Sequence, residues 1–423
     1  MRIIADLHIH GRFSRATSKD LTIPNLEKFA RIKGLTLLGT ADFTHPTWLK
    51  ELKANLAEDE SGILKTKTGF EFILQTEISS IYSQDNIGRR VHNLILAPNF
   101  EVVDQINSEL SKLGRLDYDG RPIFKLPCPE LVERMKSISE SIEIIPAHAW
   151  TPWFSLFGSN SGFNSVEECF QDQTKHIHAL ETGLSSDPAM NWRLSALDKY
   201  SLISNSDSHS FWPWRIGREC NIFELKELGY RNLIRAIRTK EGFKETIEFW
   251  PHEGKYHLDG HRNCKVVMEP KEAISHNNIC PVCKRQLTIG VLHRVEELAD
   301  RPEGFMPAGA VPFKNLIPLS ELIAGINSTT PYSKKVWMEY DSLIKNFGNE
   351  FNVLLGTAEE DLNKVTSEKI SEIIIRNRTQ KIRFEPGYDG VYGKPIFYEA
   401  GEKKKEPPIE KPRGTQKGLG EFF

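Results

Sequence analysis

Five runs rich in Ile, Leu and Val are scattered through the first half of the 423-residue chain, and each ends in side chains that bind metal ions. Arg2 to His10 ends in two histidines, Leu35 to Asp42 in aspartate, Phe70 to Glu77 in glutamate, Ile142 to His148 in histidine, and Ser201 to His209 in aspartate plus histidine. Longer amphipathic or polar stretches separate them, the rhythm of repeated β-α units. Parallel strands joined in this way bring their C-terminal ends to one face, so ligands distant in sequence become neighbours. Polar residues at strand ends are ordinary in α/β proteins, but a bias toward His, Asp and Glu predicts a metal centre.

His8 and His10 stand two residues apart in an extended run, which points both imidazoles to one side of the strand. Asp207 and His209 repeat that spacing, and Asp42, His45, Glu77, His92 and His148 complete the set of candidate metal ligands. A mixture of imidazoles and carboxylates suits zinc, manganese or iron better than a magnesium site, which is mostly carboxylate and water. The donors outnumber the needs of one ion. Clustered divalent ions neutralise phosphate and activate water, so phosphoester hydrolysis is the reaction expected.

These residues, Asp6-Leu-His8-Ile-His10, Ala41-Asp42, Thr76-Glu77, Pro146-Ala-His148 and Ser206-Asp207-Ser-His209, resemble the ordered motifs of the PHP (polymerase and histidinol phosphatase) family. The resemblance spans residues 1 to 250 and implies a distorted seven-stranded β/α barrel with a trinuclear centre. By motif position, His8, His10, Glu77 and Asp207 would hold one ion, and a bridging Glu77 would share a second with His92 and His148. His8, His10, Glu77 and Asp207 are thereby the candidate catalytic residues. The third ion is expected from Asp42, His45 and His209. Two departures bear on it: Phe43 stands where many members have histidine, and Gly11 to Ser18 contains no His, Asp or Glu. Asp6 is expected to orient a ligand, and Glu181 is either a ligand or a strand-end carboxylate.

Composition narrows the context. A net charge of -2 argues against a protein that coats nucleic acid with bulk positive charge, so basic residues that meet DNA must be local. The N-terminus lacks the apolar core of a signal peptide and no stretch is long enough to cross a bilayer, so a cytoplasmic, nucleoid-associated protein with no membrane partner is expected. His261-x-x-Cys264 and Cys280-x-x-Cys283 have the spacing of a closed structural zinc site, with His257 or His276 as alternative fourth ligands. The expected organisation is a catalytic barrel over 1–250, a zinc-binding module over 251–289, a mostly helical C-terminal domain over 290–398, a linker over 399–415 and a terminal motif over 416–423. The expected cofactors are two or three divalent ions in the barrel (zinc, manganese or magnesium) and one structural zinc.

The loops after the ligand-bearing runs carry Arg12 and Arg15, then Trp150 and Trp153, then Trp212, Trp214, Arg215 and Arg218. Arginines that reach phosphates and aromatics that stack on unpaired bases are how opened DNA is held. The same tryptophans could instead pack the barrel against the later domains. The final residues Gln416, Leu419, Phe422 and Phe423 resemble a box that binds the sliding clamp (PCNA), and two adjacent phenylalanines at a chain end need a pocket to cover them. Barrel, zinc module, C-terminal domain and tail together resemble the endonuclease Q family. That resemblance implies hydrolysis of the phosphodiester 5′ of a deaminated base (hypoxanthine, uracil, xanthine) or an abasic site, and extrusion of the damaged nucleotide from the stack is the mechanism expected for it. The alternative is a small-molecule phosphoesterase of the histidinol phosphatase type.

Overall fold

The computed structural model describes residues 1–397, so Gln416, Leu419, Phe422, Phe423 and the whole 399–415 linker lie outside the described residues. A mixed sheet carries the first part of the chain. Strand β1 (Arg2–Asp6) pairs in parallel with β2 (Leu37–Gly39), which pairs in parallel with β3 (Glu71–Gln84). From there the sheet turns antiparallel, through β4 (Ile87–Ala97) to β5 (Glu143–Pro146). Strands β6 (Ala179–Glu181) and β7 (Ser201–Ile203) form a parallel pair. Single bridges link them onward, Ile144 to Ile177 on the β5 side and Ser208 to Ile9 on the β1 side. On the other edge of β1 lie antiparallel β8 (Cys220–Glu224) and β9 (Phe243–Glu248), with β10 (Phe313–Asn315) parallel to β9.

Helices cover the outer face for reasons visible in their sequences. In Ile23–Lys33 the buried residues Ile23, Leu26, Phe29, Ala30 and Lys33 recur at helical spacing. Pro24 in the first turn and Gly34 at φ 101° delimit the helix, because proline needs no amide partner there and glycine adopts the left-handed cap freely.

One expected strand is longer than its ligand suggests. β3 does not stop at Glu77 but continues to Gln84, because Asp85 and Asn86, at φ 53° and 61°, make the tight turn that folds β4 back on it. His92 thus enters from the middle of an antiparallel partner, its residue paired with Ser79. The ligands do not all come from the ends of parallel strands.

Beyond β9 the chain forms a hairpin, Asp259–His261 with Val266–Met268, and a short helix, Pro270–Ser275. Helix Val291–Leu298 returns to the first core, where Val291 and Val295 are buried. A separate core joins helices Leu319–Ile326, Lys334–Phe347 and Glu368–Arg378 through Leu322, Ile323, Tyr340, Leu343, Ile370 and Ile374. Among the described residues, no helix is long and apolar enough to cross a membrane.

Candidate metal centre

His8 and His10 extend β1 with their backbone pinned on both sides. Leu7 N donates to Asn205 Oδ1 at 2.8 Å, Ile9 N to Gln75 Oε1 at 3.3 Å, and His10 N to the Ser208 carbonyl at 2.8 Å. Each imidazole has one nitrogen tied to a carboxylate: His8 Nδ1 lies 3.0 Å from Glu181 Oε1, and His10 Nδ1 lies 3.0 Å from Asp42 Oδ1. An Nδ1–H so engaged leaves Nε2 as the lone-pair donor, the arrangement metal-binding histidines use.

Both Nε2 atoms, with Asp207 Oδ1, are buried without a hydrogen bond. They face one another: His10 Nε2 is 3.0 Å from Asp207 Oδ1 and 3.3 Å from Glu77 Oε2, and His8 Nε2 is 3.7 Å and 3.8 Å from the same two oxygens. Converging orphaned donors of this kind are what a divalent cation satisfies. Glu77 Oε1 meets a second group, His92 Nδ1 at 2.9 Å and His148 Nε2 at 3.0 Å. Within each group, His8, His10, Glu77 and Asp207 or Glu77, His92 and His148, the ligand atoms lie within 4.8 Å of one another. Glu77 belongs to both.

The backbone is strained at two of the facing donors, His148 and Asp207, and beside Asp42, which holds His10. Ala41, His148 and Asp207 adopt φ of 63°, 32° and 47°, values L residues seldom take outside sites that need them. Gly183 makes room beside His148, since a Cβ there would stand 2.5 Å from the histidine Cβ.

Burial lowers the His8 and His10 imidazoles, but Glu181 and Asp42 outweigh it and raise both well above their ordinary range, so a cation there would displace a proton from each. Burial pushes the Glu77 carboxyl up, but His92 and Arg121 outweigh it and hold it well below the usual carboxylate range. Burial, helped by the charge of Arg121 and only partly offset by Glu77, takes His92 down to about 3, so its imidazole is neutral near pH 7. Burial and the charge of His10 bring His209 down to about 4.

The three residues expected to complete a third site do not join these groups. Asp42 turns its oxygens to His10, to Gly11 N at 2.5 Å and to Ser14 Oγ at 2.7 Å, so it orients His10. His45 caps helix Pro46–Asn55, accepting from Trp48 N, and stacks on Phe13 with centroids 4.3 Å apart. The His209 ring lies 4.3 Å from that of His10, with Nδ1 held by the Asp207 carbonyl. Glu181 holds His8 and the His148 amide, and Asp6 holds Ser206 and the Gly217 amide.

Farther along, His261, Cys264, Cys280 and Cys283 bring four donors within 4.8 Å of one another. Lys265 and Lys284, the residues after Cys264 and Cys283, are both left-handed, at φ 55° and 61°, which closes each ligand pair into a tight turn. His257 and His276 are not in the group. The small core beneath consists of Met268, Ala273, Cys280 and Leu287. So little buried surface needs a metal to hold it.

The rim divides. Trp150 is 1% exposed, packs at a tilt against Phe157 and donates to Asn191, so it is core and offers no face to a base. Trp212 and Trp214 stack on each other at 5.0 Å and pack at a tilt against Trp337 of the C-terminal helices at 5.4 and 5.5 Å, which makes them part of the junction between the two cores. Trp153 packs edge-on against Tyr256. Arg12 is paired with Glu51, and Arg218, partly buried, lies against Phe249. Arg15 and Arg215 remain exposed. Arg121, which donates to Glu77 Oε2 at 2.8 Å, carries no sequence signal of its place in the centre.

Residues 318–381 match the family model described as the MJ0043 C-terminal domain. Over 413 residues the chain is 31% identical to YqxK of Bacillus subtilis (strain 168), spanning 93% of this chain and 99% of that protein. It is similar to the crystal structure of the lesion-specific endonuclease PfuEndoQ from Pyrococcus furiosus, with 32% identity and a TM-score of 0.84 over 93% of this chain and 95% of that one.

The chain belongs to the endonuclease Q family.

A second endonuclease Q structure, a complex with a 27-mer duplex substrate carrying an abasic lesion at the active site, is matched with 32% identity and a TM-score of 0.83 over 93% of this chain and 96% of that one. The likeness thus covers nearly the whole chain.

Proposed function

We propose that this chain is a metal-dependent endodeoxyribonuclease that cuts the phosphodiester 5′ of deaminated bases and abasic sites. The observation that carries the reading is Glu77, one carboxylate shared by two groups of inward-facing donors, in a chain similar to endonuclease Q over nearly its whole length. Cations held there would supply Lewis acidity toward the phosphate and lower the pKa of water. His8, His10, Glu77 and Asp207 would hold one, and Glu77, His92 and His148 another. Glu181 and Asp42 fix the imidazoles so that no reorganisation is needed when the phosphate arrives. Arg15 and Arg215 are exposed, and in this reading they contact backbone phosphates. Weakened pairs surrender a nucleotide most cheaply, so flipping favours damaged sites.

The strand path supports the distorted seven-stranded barrel: β1 to β7 follow one another round the centre, with the Ile144–Ile177 and Ile9–Ser208 bridges spanning the two weak joints. Recruitment by the sliding clamp rests on Gln416, Leu419, Phe422 and Phe423, and deletion of 416–423 should abolish clamp capture while sparing nicking of naked DNA.

The deciding experiment is a nicking assay with hypoxanthine, uracil, abasic and undamaged oligonucleotides side by side, with and without chelator. Cleavage of the damaged strands alone, lost on chelation and restored by divalent metal, is the expected outcome. Hydrolysis of a phosphate monoester with all strands left intact would replace this reading with a small-molecule phosphoesterase.

A further inference from the structure

Between Asp119 and Pro122 the chain inserts a cation among the ligands. Arg121 Nη1 donates to Glu77 Oε2 at 2.8 Å and lies 3.4 Å from His92 Nδ1. Oε2 is the oxygen that faces His8 and His10, so the guanidinium takes up a direction from which that shared carboxylate would otherwise bind an ion. The side chain is 26% exposed, reaching inward from the mouth of the centre.

The backbone that carries it is held on every side. Gly120 N donates to the Phe13 carbonyl at 3.2 Å, Thr44 Oγ1 to the Gly120 carbonyl at 3.3 Å, Arg121 N to Asp119 Oδ1 at 3.3 Å, and Ser79 N to the Pro122 carbonyl at 3.0 Å. Gly120 presses so closely that a Cβ would stand 2.1 Å from Ser14 Oγ and 2.3 Å from Asp42 Oδ2. With the loop pinned, the freedom left at this position is that of the long arginine side chain. On its outer side, Asp119 is also paired at 3.2 Å with Arg15, which is 69% exposed, so a second guanidinium already marks the way out.

A guanidinium and divalent cations repel each other at this range, and the carboxylate favours the higher charge. We propose that Arg121 works in two positions: it neutralises Glu77 while the centre holds no cation, and once cations take that carboxylate it turns through the mouth to grip the non-bridging oxygens of the phosphodiester being cut. The second position rests on the nuclease reading above. The planar fork matches phosphate bidentately and adds positive charge where negative charge grows during cleavage. No bond to Arg121 forms or breaks.

Two readouts on chelator-stripped, full-length protein test this. Calorimetric titration with Mn²⁺ should show Arg121→Ala binding about tenfold more tightly than wild type, because a competing charge has gone. At saturating Mn²⁺, kcat/KM on an abasic oligonucleotide should fall by about a hundredfold in Arg121→Ala. Arg121→Lys should recover part of that loss, since it restores the charge without the fork. Mn²⁺ binding in Arg121→Ala that is unchanged or weaker overturns the first position. Cleavage equal to wild type overturns the second. If wild type leaves every strand intact, the nuclease reading and the second position fall together, while the Mn²⁺ titration still decides the first.

Discussion

The Lys33 ammonium donates to Glu350 Oε1 at 2.7 Å, with both side chains all but shut off from water. Lys33 ends the helix that follows β1, and Glu350 lies in the segment matched by the MJ0043 C-terminal domain, so the pair ties the two cores together. Every polar atom is accounted for: Lys33 also donates to the Pro213 carbonyl, and Glu350 accepts from Leu319 N and Tyr340 Oη. Removing one partner strands the other charge, so Lys33→Met should cost about 3–5 kcal/mol. The double change Lys33→Met with Glu350→Gln should cost less than Lys33→Met alone, as read from chemical denaturation midpoints.

His45 and His92 separate a cap from a ligand. His45→Ala should lower stability by about 1 kcal/mol, through loss of the helix cap, and leave the bound-metal stoichiometry unchanged. His92→Ala should reduce the metal content of the protein measured by elemental analysis.

Glu181 contacts His8 from behind the centre. Glu181→Gln keeps the shape but removes the charge that raises the basicity of the imidazole, and metal affinity should fall by about ten- to a hundredfold. Competition against a fluorescent chelator measures it, with intact secondary structure by circular dichroism as the control.

The Cys/His cluster holds a module with four buried apolar residues. Zinc binding at such sites is worth about 10 kcal/mol or more, so Cys283→Ser should release zinc and open residues 256–289 to protease. Hydrogen exchange confined to that segment, with the mixed sheet protected, is the expected pattern.

Glu248 accepts from Thr246 at 2.5 Å and from Thr182 and Ser204 at 3.0 Å, and burial pushes its carboxyl up to about 8. An acid that holds its proton more tightly when folded stabilises the fold at low pH, and that contribution is lost as pH rises from its ordinary value near 4.5 through about 8. Glu248→Gln should therefore flatten the fall in unfolding midpoint across that window. An identical slope in the variant would show that Glu248 does not titrate there.

Local sequence was enough to pick out the donors that the fold brings together, His8, His10, Glu77, His92, His148 and Asp207, but not to separate them from Asp42, His45 and His209, which join neither group. His8 and His10 share a face because side chains alternate along a strand, and the paired knuckles of His261 to Cys283 are short-range turns whose spacing sets ligand distance. What lay beyond it was whatever depends on a contact between distant segments. His45 becomes a cap and Trp150 a core residue because of what packs on them, and Trp212 and Trp214 meet Trp337 only after the second core has docked. Arg121 reaches Glu77 because a pinned loop and a glycine without a Cβ let it approach. Periodicity and spacing are properties of the chain itself, whereas burial and facing charge belong to the folded neighbourhood, and no single stretch of residues encodes them.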